Sequence, residues 1–292
     1  MALFDRFKSL VSSRKLNVSS RFALLREAIS GTMSSFYMAR DLESDKVVGL
    51  KILDPEKTAF FQSRFKGLVK PTEGEIAIQL KHPRIVETFE HGTTVHDEQY
   101  LVMEFLDGPG MNSLLVGQNE LLATRRTRYI RQAAESLSAV HAAGFIHRDV
   151  CPRNLILTDK SRDAELKLID FGITVPATKP FMLPGNRTGT PNYMAPELVR
   201  RRATDKRLDV FAFGVTAYEM CSFELPWVRG QTGQAAMSHN MPPTDIRKYC
   251  PDLDIKLAEA IHSCIEPELS KRCPSIDEFL ERIRGVKEEE PG

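Results

Sequence analysis

The hydrophobic positions of this chain change their period partway along it. From residue 22 to 101 they form short runs of β-formers and apolar residues, at 35–40 and 46–52 around the polar turn 41–45, and again at Tyr100-Leu101-Val102-Met103. One helical stretch interrupts these strands and ends near Lys81. Beyond residue 110 the pattern is mainly helical. Within 124–143, Tyr129, Ile130, Ala133, Ala134, Leu137 and Val140 share one face. Ser275 stands three residues before Glu278, a capping-box spacing that opens a helix with Ile276, Phe279, Leu280 and Ile283 inward. Gly285 stops that helix, and the tail 285–292 is expected to be disordered. A small sheet-rich half joined to a larger helical half follows, with no internal repeat.

Composition narrows the class. At 292 residues the chain exceeds the size at which one hydrophobic core usually stops growing, so two lobes are expected. A hydrophobic content of 42% and a charged content of 27% are ordinary for a soluble globular protein. The net charge of +1 lacks the basic excess of a nucleic-acid binder, which removes nucleic acid from the expected partners. Five cysteines (Cys151, Cys221, Cys250, Cys264, Cys273) make no CxxC pair and are odd in number, as expected for reduced thiols in a cytoplasm. No apolar run approaches the ~20 residues of a bilayer-spanning helix, and no secretory signal is evident. Residues 2–11 put Leu3, Phe4, Phe7, Leu10 and Val11 at helical spacing with Arg6 and Lys8 opposite. That pattern suits a helix docked on the first lobe or, alternatively, a basic segment in peripheral contact with a membrane. Residues 12–20 read as a linker, so the main domain is expected to start near Arg21.

The candidate chemistry lies in a few short motifs. His147-Arg148-Asp149 is followed five residues on by Asn154, and then by Asp170-Phe171-Gly172; Lys51 precedes them and Ala195-Pro196-Glu197 follows. In this order and spacing they resemble the signature set of the eukaryotic-type (Hanks-type) protein kinases. The resemblance covers roughly residues 22 to 284. Met33 and Tyr37 in the first loop are similar to the bacterial branch of that family. It implies an α+β, bilobal protein-kinase fold with a β-rich N-lobe (21–104), an α-helical C-lobe (105–284), an N-terminal extension (1–20) and a short tail (285–292).

The implied activity is ATP- and Mg²⁺-dependent phosphorylation of serine or threonine in a protein substrate, with Mn²⁺ as the other candidate ion. By the same resemblance Lys51 pairs the phosphates and Asp149 is the catalytic base, while Asn154 and Asp170 hold the metal. Counting back from His82-Pro83 gives Glu73 as the carboxylate that steadies Lys51, with Glu75 as the fallback. Pro71 suits that helix's first turn, whereas Gly74 costs it on the order of 1 kcal/mol. Gly31 and Phe36 would cover the nucleotide. Met103 (the gatekeeper), Glu104 and Leu106 would line its base. Asp209 would brace the catalytic loop, and Glu197 would pair with Arg272.

Several positions depart from the family pattern. The glycine loop reads Ile29-Ser30-Gly31-Thr32-Met33-Ser34 and keeps only its middle glycine. Gly49 stands where alanine is usual, which would leave room for adenine. Cys151 occupies the place of the lysine that contacts the transferring phosphate, and a cation appears instead at Arg153. Arg153 then either supplies the missing charge or faces solvent. Cys151 beside Arg148 and Arg153 would have a depressed thiol pKa. Arg148 suggests regulation by phosphorylation of the activation segment, at Thr178 or Thr188, with the usual site falling on Asn186. The alternatives to an active kinase are a pseudokinase that binds or scaffolds, and a small-molecule phosphotransferase. The intact Ala195-Pro196-Glu197 segment argues against the latter. Substrate and oligomeric state are not legible.

Overall fold

The computed structural model describes residues 15–30, 33–65, 67–184, 188–227 and 239–289. The chain divides into two compact units: residues up to Lys81 with Val86–Leu106, and His82–Ile85 with Asp107 onward. The expected helix at 2–11 lies outside the described residues.

The first unit is a five-stranded antiparallel sheet in the order β1-β2-β3-β5-β4. Its strands are β1 (Phe22–Ser30), β2 (Ser34–Asp41), β3 (Val47–Leu53), β4 (Thr88–Thr93) and β5 (Gln99–Glu104). The register pairs Ala39 with Val48, Tyr37 with Leu50 and Leu50 with Val102. Because side chains alternate along a strand, this register gathers Phe22, Ala39, Val48, Leu50, Tyr100 and Val102 on one buried face. Leu16 and Val18 pack against that core, and Leu16 exchanges backbone bonds with Thr93 and Val95. The packed unit therefore reaches back to residues 15–20, which the sequence assigns to a linker.

Two helices interrupt the sheet, not one. The first, α1 (Pro55–Gln62), begins at Asp54, whose side chain accepts the Lys57 N–H (3.1 Å), with Pro55 at the first helical position. The second, α2 (Glu73–Ala77), has only five residues. Thr72 and Glu75 form a reciprocal capping box at its start, so Pro71 precedes the cap instead of lying in the first turn. Gly74 is explained by close approach: a Cβ there would meet His91 Cβ and Cγ of β4 at 2.5 Å.

The second unit is built on α3 (Arg126–Ala142), α4 (Arg207–Ser222), α5 (Ile255–Cys264) and α6 (Ile276–Arg282), with shorter helical turns between. The predicted inward face of α3 is buried throughout, and Ser275 caps α6 by accepting the Glu278 N–H (3.1 Å). Nearly every residue of α4 is buried, as in a helix enclosed on all sides. Two small ribbons frame the functional loops: β6 (Phe145–Ile146) pairs with β9 (Val175–Pro176), and β7 (Leu155–Leu157) with β8 (Leu166–Leu168). Residues 147–154 thus run from β6 to β7, and residues 169–174 from β8 to β9. Among the described residues no helix is long and apolar enough to cross a membrane.

The tail departs from expectation. Val286 is buried, and Glu289 docks on the N-terminus of α3. Arg125 provides no side-chain cap there. Glu289 accepts instead from the Thr127 N–H (3.1 Å) and hydroxyl (2.9 Å) and from Arg126 Nε (3.0 Å). A carboxylate at this end also meets the positive pole of the helix. Glu289→Ala should lower stability by about 1 kcal/mol in urea unfolding, whereas exposed Glu288→Ala should leave it unchanged.

Candidate active site

The predicted residues divide between the two units. In the first, Lys51 lies on β3 and its Nζ is 2.5 Å from Glu73 Oε1, both side chains being largely buried. Glu75 is engaged in the capping box, so Glu73 is the partner of Lys51. Met103 is buried near the end of β5. At Glu104 the backbone N–H donates to Glu87 O (2.9 Å) while the side chain accepts the Glu87 N–H (2.8 Å). Leu106 follows, half-buried, outside the strand. Phe36 pairs directly with Lys51 across β2 and β3. Gly31 lies outside the described residues.

In the second unit the geometry centres on Asp149. Its Oδ1 accepts from the Thr190 N–H (2.9 Å) and hydroxyl (2.7 Å), and its Oδ2 from Asn154 Nδ2 (3.1 Å). Asn154 Nδ2 also donates to the Asp149 carbonyl (2.7 Å), so both bonds of this amide to Asp149 run through its nitrogen. Asp170 adopts a left-handed φ of 65° and receives the Gly172 N–H at 3.1 Å. For a residue other than glycine this is an uncommon conformation, concentrated at functional turns. The oxygen donors of Asn154 and Asp170 suit a hard divalent cation.

The residues around Asp149 lock its loop. Asp209, fully buried on α4, accepts the backbone N–H groups of His147 and Arg148 (both 2.8 Å) and bonds His141 Nε2 (2.9 Å). Burial alone would raise this carboxyl, but the His141 bond, the electrostatic interaction with the His141 and His147 rings and the Arg148 N–H hold it below the usual range. His147 Nδ1 accepts the Asp149 N–H (3.2 Å), which leaves Nε2 to donate toward Ile169 O (3.4 Å). The Phe171 ring packs edge-on against His147 at 5.4 Å. Burial pushes Arg148 down to about 10, with Asp209 acting the other way.

Arg153 is exposed, and its guanidinium donates to Thr190 Oγ1 (2.9 Å), the same hydroxyl that donates to Asp149. Cys151 does not have the depressed pKa expected from its cationic neighbours. Burial pushes its thiol up to about 11, and Asp149 adds to the rise. The candidate phosphorylation sites also separate: Thr178 is exposed, whereas Thr188 Oγ1 is buried without a hydrogen-bond partner among the described residues. Asn186 lies outside the described residues.

The docking stretch is held from behind. Arg272 NH1 and NH2 pair bidentately with Glu197 Oε1 (2.7 Å) and Oε2 (3.0 Å), as the resemblance implied. Sequence reasoning missed His239, whose Nδ1 lies 2.7 Å from Met194 O and whose ring packs on Trp227 at 4.6 Å. A lone histidine in the sequence has no pattern that would mark it. It also missed the bond between the Tyr193 hydroxyl and Glu219, on α4.

The protein kinase domain matches residues 25–282, and the chain belongs to this family. A probable serine/threonine-protein kinase of Clostridium acetobutylicum is 27% identical over 92% of this chain and 40% of its own length. The serine/threonine-protein kinase PknL of Mycobacterium tuberculosis is 28% identical over 87% of this chain and 59% of its own. The human hormonally up-regulated neu tumor-associated kinase is 30% identical over 93% of this chain and 36% of its own. The bacterial relatives place the chain in the bacterial branch of the eukaryotic-type kinases. The chain spans 36% to 59% of the length of these curated relatives. Members of the family use ATP with a divalent metal.

The Glu197–Arg272 pair supports a prediction independent of catalysis. Both side chains are at most 5% exposed, so removing one leaves the other as an uncompensated buried charge. Arg272→Met should cost about 3–5 kcal/mol in urea unfolding, and Arg272→Met/Glu197→Leu should recover much of that loss.

Proposed function

We propose that this chain is a serine/threonine protein kinase that transfers the γ-phosphate of ATP to a hydroxyl of a protein substrate, with Mg²⁺ as the working ion. The observation that carries this reading is Thr190. It belongs to the stretch that would dock a peptide, and both its N–H and its hydroxyl bond Asp149 Oδ1. The element that seats the acceptor and the group that takes its proton are thus one hydrogen-bonded unit. A small-molecule phosphotransferase has no need of that coupling.

In this mechanism Asp149 orients the acceptor hydroxyl and takes its proton as oxygen attacks the γ-phosphorus, and ADP departs. Lys51, steadied by Glu73, holds the remaining phosphates. Asn154 Oδ1 and the Asp170 carboxylate would hold Mg²⁺, which supplies charge neutralisation on the phosphate oxygens. Arg153 takes the place of the absent lysine, because its guanidinium already reaches the Thr190–Asp149 pair. Phosphorylation of exposed Thr178 raises activity. Five free cysteines fit a reducing, cytoplasmic setting. Residues 2–11 remain the candidate for peripheral membrane contact.

Purified protein with ATP, Mg²⁺ and a generic protein substrate tests the reading by phosphate mapping in mass spectrometry. Asp170→Asn should abolish transfer with the melting temperature held within a few degrees; near-normal transfer would overturn the assignment, and an inert wild-type chain would favour a pseudokinase. Arg153→Ala should lower kcat by about a hundredfold with a smaller change in ATP affinity, whereas an unimpaired enzyme would make Arg153 a surface residue. Thr178→Ala should remove activation on preincubation with ATP, and Thr188→Ala should not.

A further inference from the structure

Three consecutive arginines follow the docking stretch, and one of them stands where the backbone favours glycine. The helical turn Pro196–Val199 is closed by Arg202 N–H to Glu197 O (2.8 Å) and Arg201 N–H to Leu198 O (3.1 Å). This pair of bonds is a Schellman cap, whose turning residue adopts the left-handed conformation. That residue is Arg201, with a φ of 53°. Glycine takes this position without steric cost, whereas a side chain is strained in it. A basic residue suits the end of a helix, but glycine would close this one better. Arg200, Arg201 and Arg202 are all exposed, and among the described residues none has a side-chain hydrogen bond or ion pair. The carboxylates nearest in sequence are already engaged, Glu197 with Arg272 and Asp205 with Arg207. With a net charge of only +1 for the whole chain, this concentration of positive charge is local.

We propose that Arg200, Arg201 and Arg202 bind an acidic stretch of the protein substrate, flanking the hydroxyl that is phosphorylated. This rests on the kinase reading above and names the class of substrate that the site selects. The turn is tied to the activation segment on both sides, by Arg202 N–H to Glu197 O and by Thr204 N–H to Met182 O (2.9 Å). Glu197 is itself pinned by buried Arg272. The three guanidinium groups are thus mounted at the end of the stretch that holds Thr190, whose hydroxyl bonds Asp149. Exposed Lys179, on the adjoining turn Lys179–Met182, adds to the positive charge. A strained cation with no partner in the chain works against folding, and a partner outside the chain accounts for its place. Arginine takes a carboxylate by two parallel bonds, so a run of Asp and Glu is the matching ligand. A peptide is favoured over a lipid surface because the cluster continues the stretch that would dock the substrate.

The test incubates the full chain with ATP, Mg²⁺ and a library of peptides centred on serine or threonine with randomised flanks, and sequences the products by mass spectrometry. Wild type should favour Asp and Glu over Asn and Gln beside the acceptor by about tenfold, and the preference should shrink as salt is raised. Arg200→Gln/Arg201→Gln/Arg202→Gln should level it, while Arg200→Lys/Arg201→Lys/Arg202→Lys should keep part of it. Arg201→Gly should weaken the preference by about threefold and raise the melting temperature, because glycine relieves the strained turn. Where the triple glutamine variant fails to fold, Arg201→Gly carries the same test. A wild-type chain indifferent to acidic flanks, or a preference kept in full by the triple glutamine variant, would overturn the proposal and leave the kinase reading intact. Arginine-dependent binding to phosphatidylserine vesicles without any acidic preference would overturn it too, and would make the cluster a lipid contact. A wild-type chain that phosphorylates no peptide would overturn both.

Discussion

The loop that carries Asp149 depends on a carboxylate that touches no solvent. Asp209 is 0% exposed, a position untenable for a charge unless donors surround it. It finds three: His147 N–H, Arg148 N–H and the His141 ring. Two successive backbone N–H groups converge on one anion only in a turned conformation, and Arg148 accordingly adopts a φ of 72°. The backbone just before Asp149 is thereby tied to α4. From there the order propagates: Asp149 N–H bonds back to His147, and its carboxylate is held between Asn154 and Thr190. The aim of the proposed base is therefore set by a residue sixty positions away that does no chemistry.

Most of the architecture was legible because it follows from short-range periodicity. The strands around 35–52 and 100–103 and the buried face of α3 occur where the pattern put them. The misses have identifiable causes. Helix α1 buries only Phe61 and leaves Phe60 exposed, so its apolar pattern is faint; its readable mark was Asp54-Pro55, a cap followed by proline. The choice between Glu73 and Glu75 was also readable, since Thr72 three residues before Glu75 is a capping-box spacing that already engages Glu75. Glu289 was not readable. An acidic tail looks disordered by composition, and its partners at Arg126 and Thr127 become neighbours only after folding.

Cys151 shows a related limit at a single site. Two nearby cations argue for a stabilised thiolate, and that reasoning holds for a thiol in contact with water. Here the thiol is 1% exposed, and loss of solvation outweighs the charge of Arg153 and the Thr190 bond while the Asp149 charge acts in the same direction as burial. Burial is a tertiary property, so no local reading of the motif could have recovered it. The consequence is a neutral, unreactive side chain packed against the loop. That is a structural role, and it leaves the question of the missing charge to Arg153.

The two departures nearest the chemistry occur in pairs whose effects are linked. At one, Gly49 gives up a side chain and the Phe36 ring occupies the space. At the other, Cys151 gives up a charge, and Arg153, two residues on, returns one to the Thr190 hydroxyl that already bonds Asp149. Judged singly, each reads as a loss, and together they are the strongest argument for an inert fold. Neighbouring substitutions are not additive, however, because each changes the surroundings that give the other its effect. A ring fills the space in the first pair, and a cation returns in the second. With Lys51 and Glu73 paired in the first unit, and Asp149 and Asn154 bonded to each other in the second, each departure reads as a replacement and not as a loss.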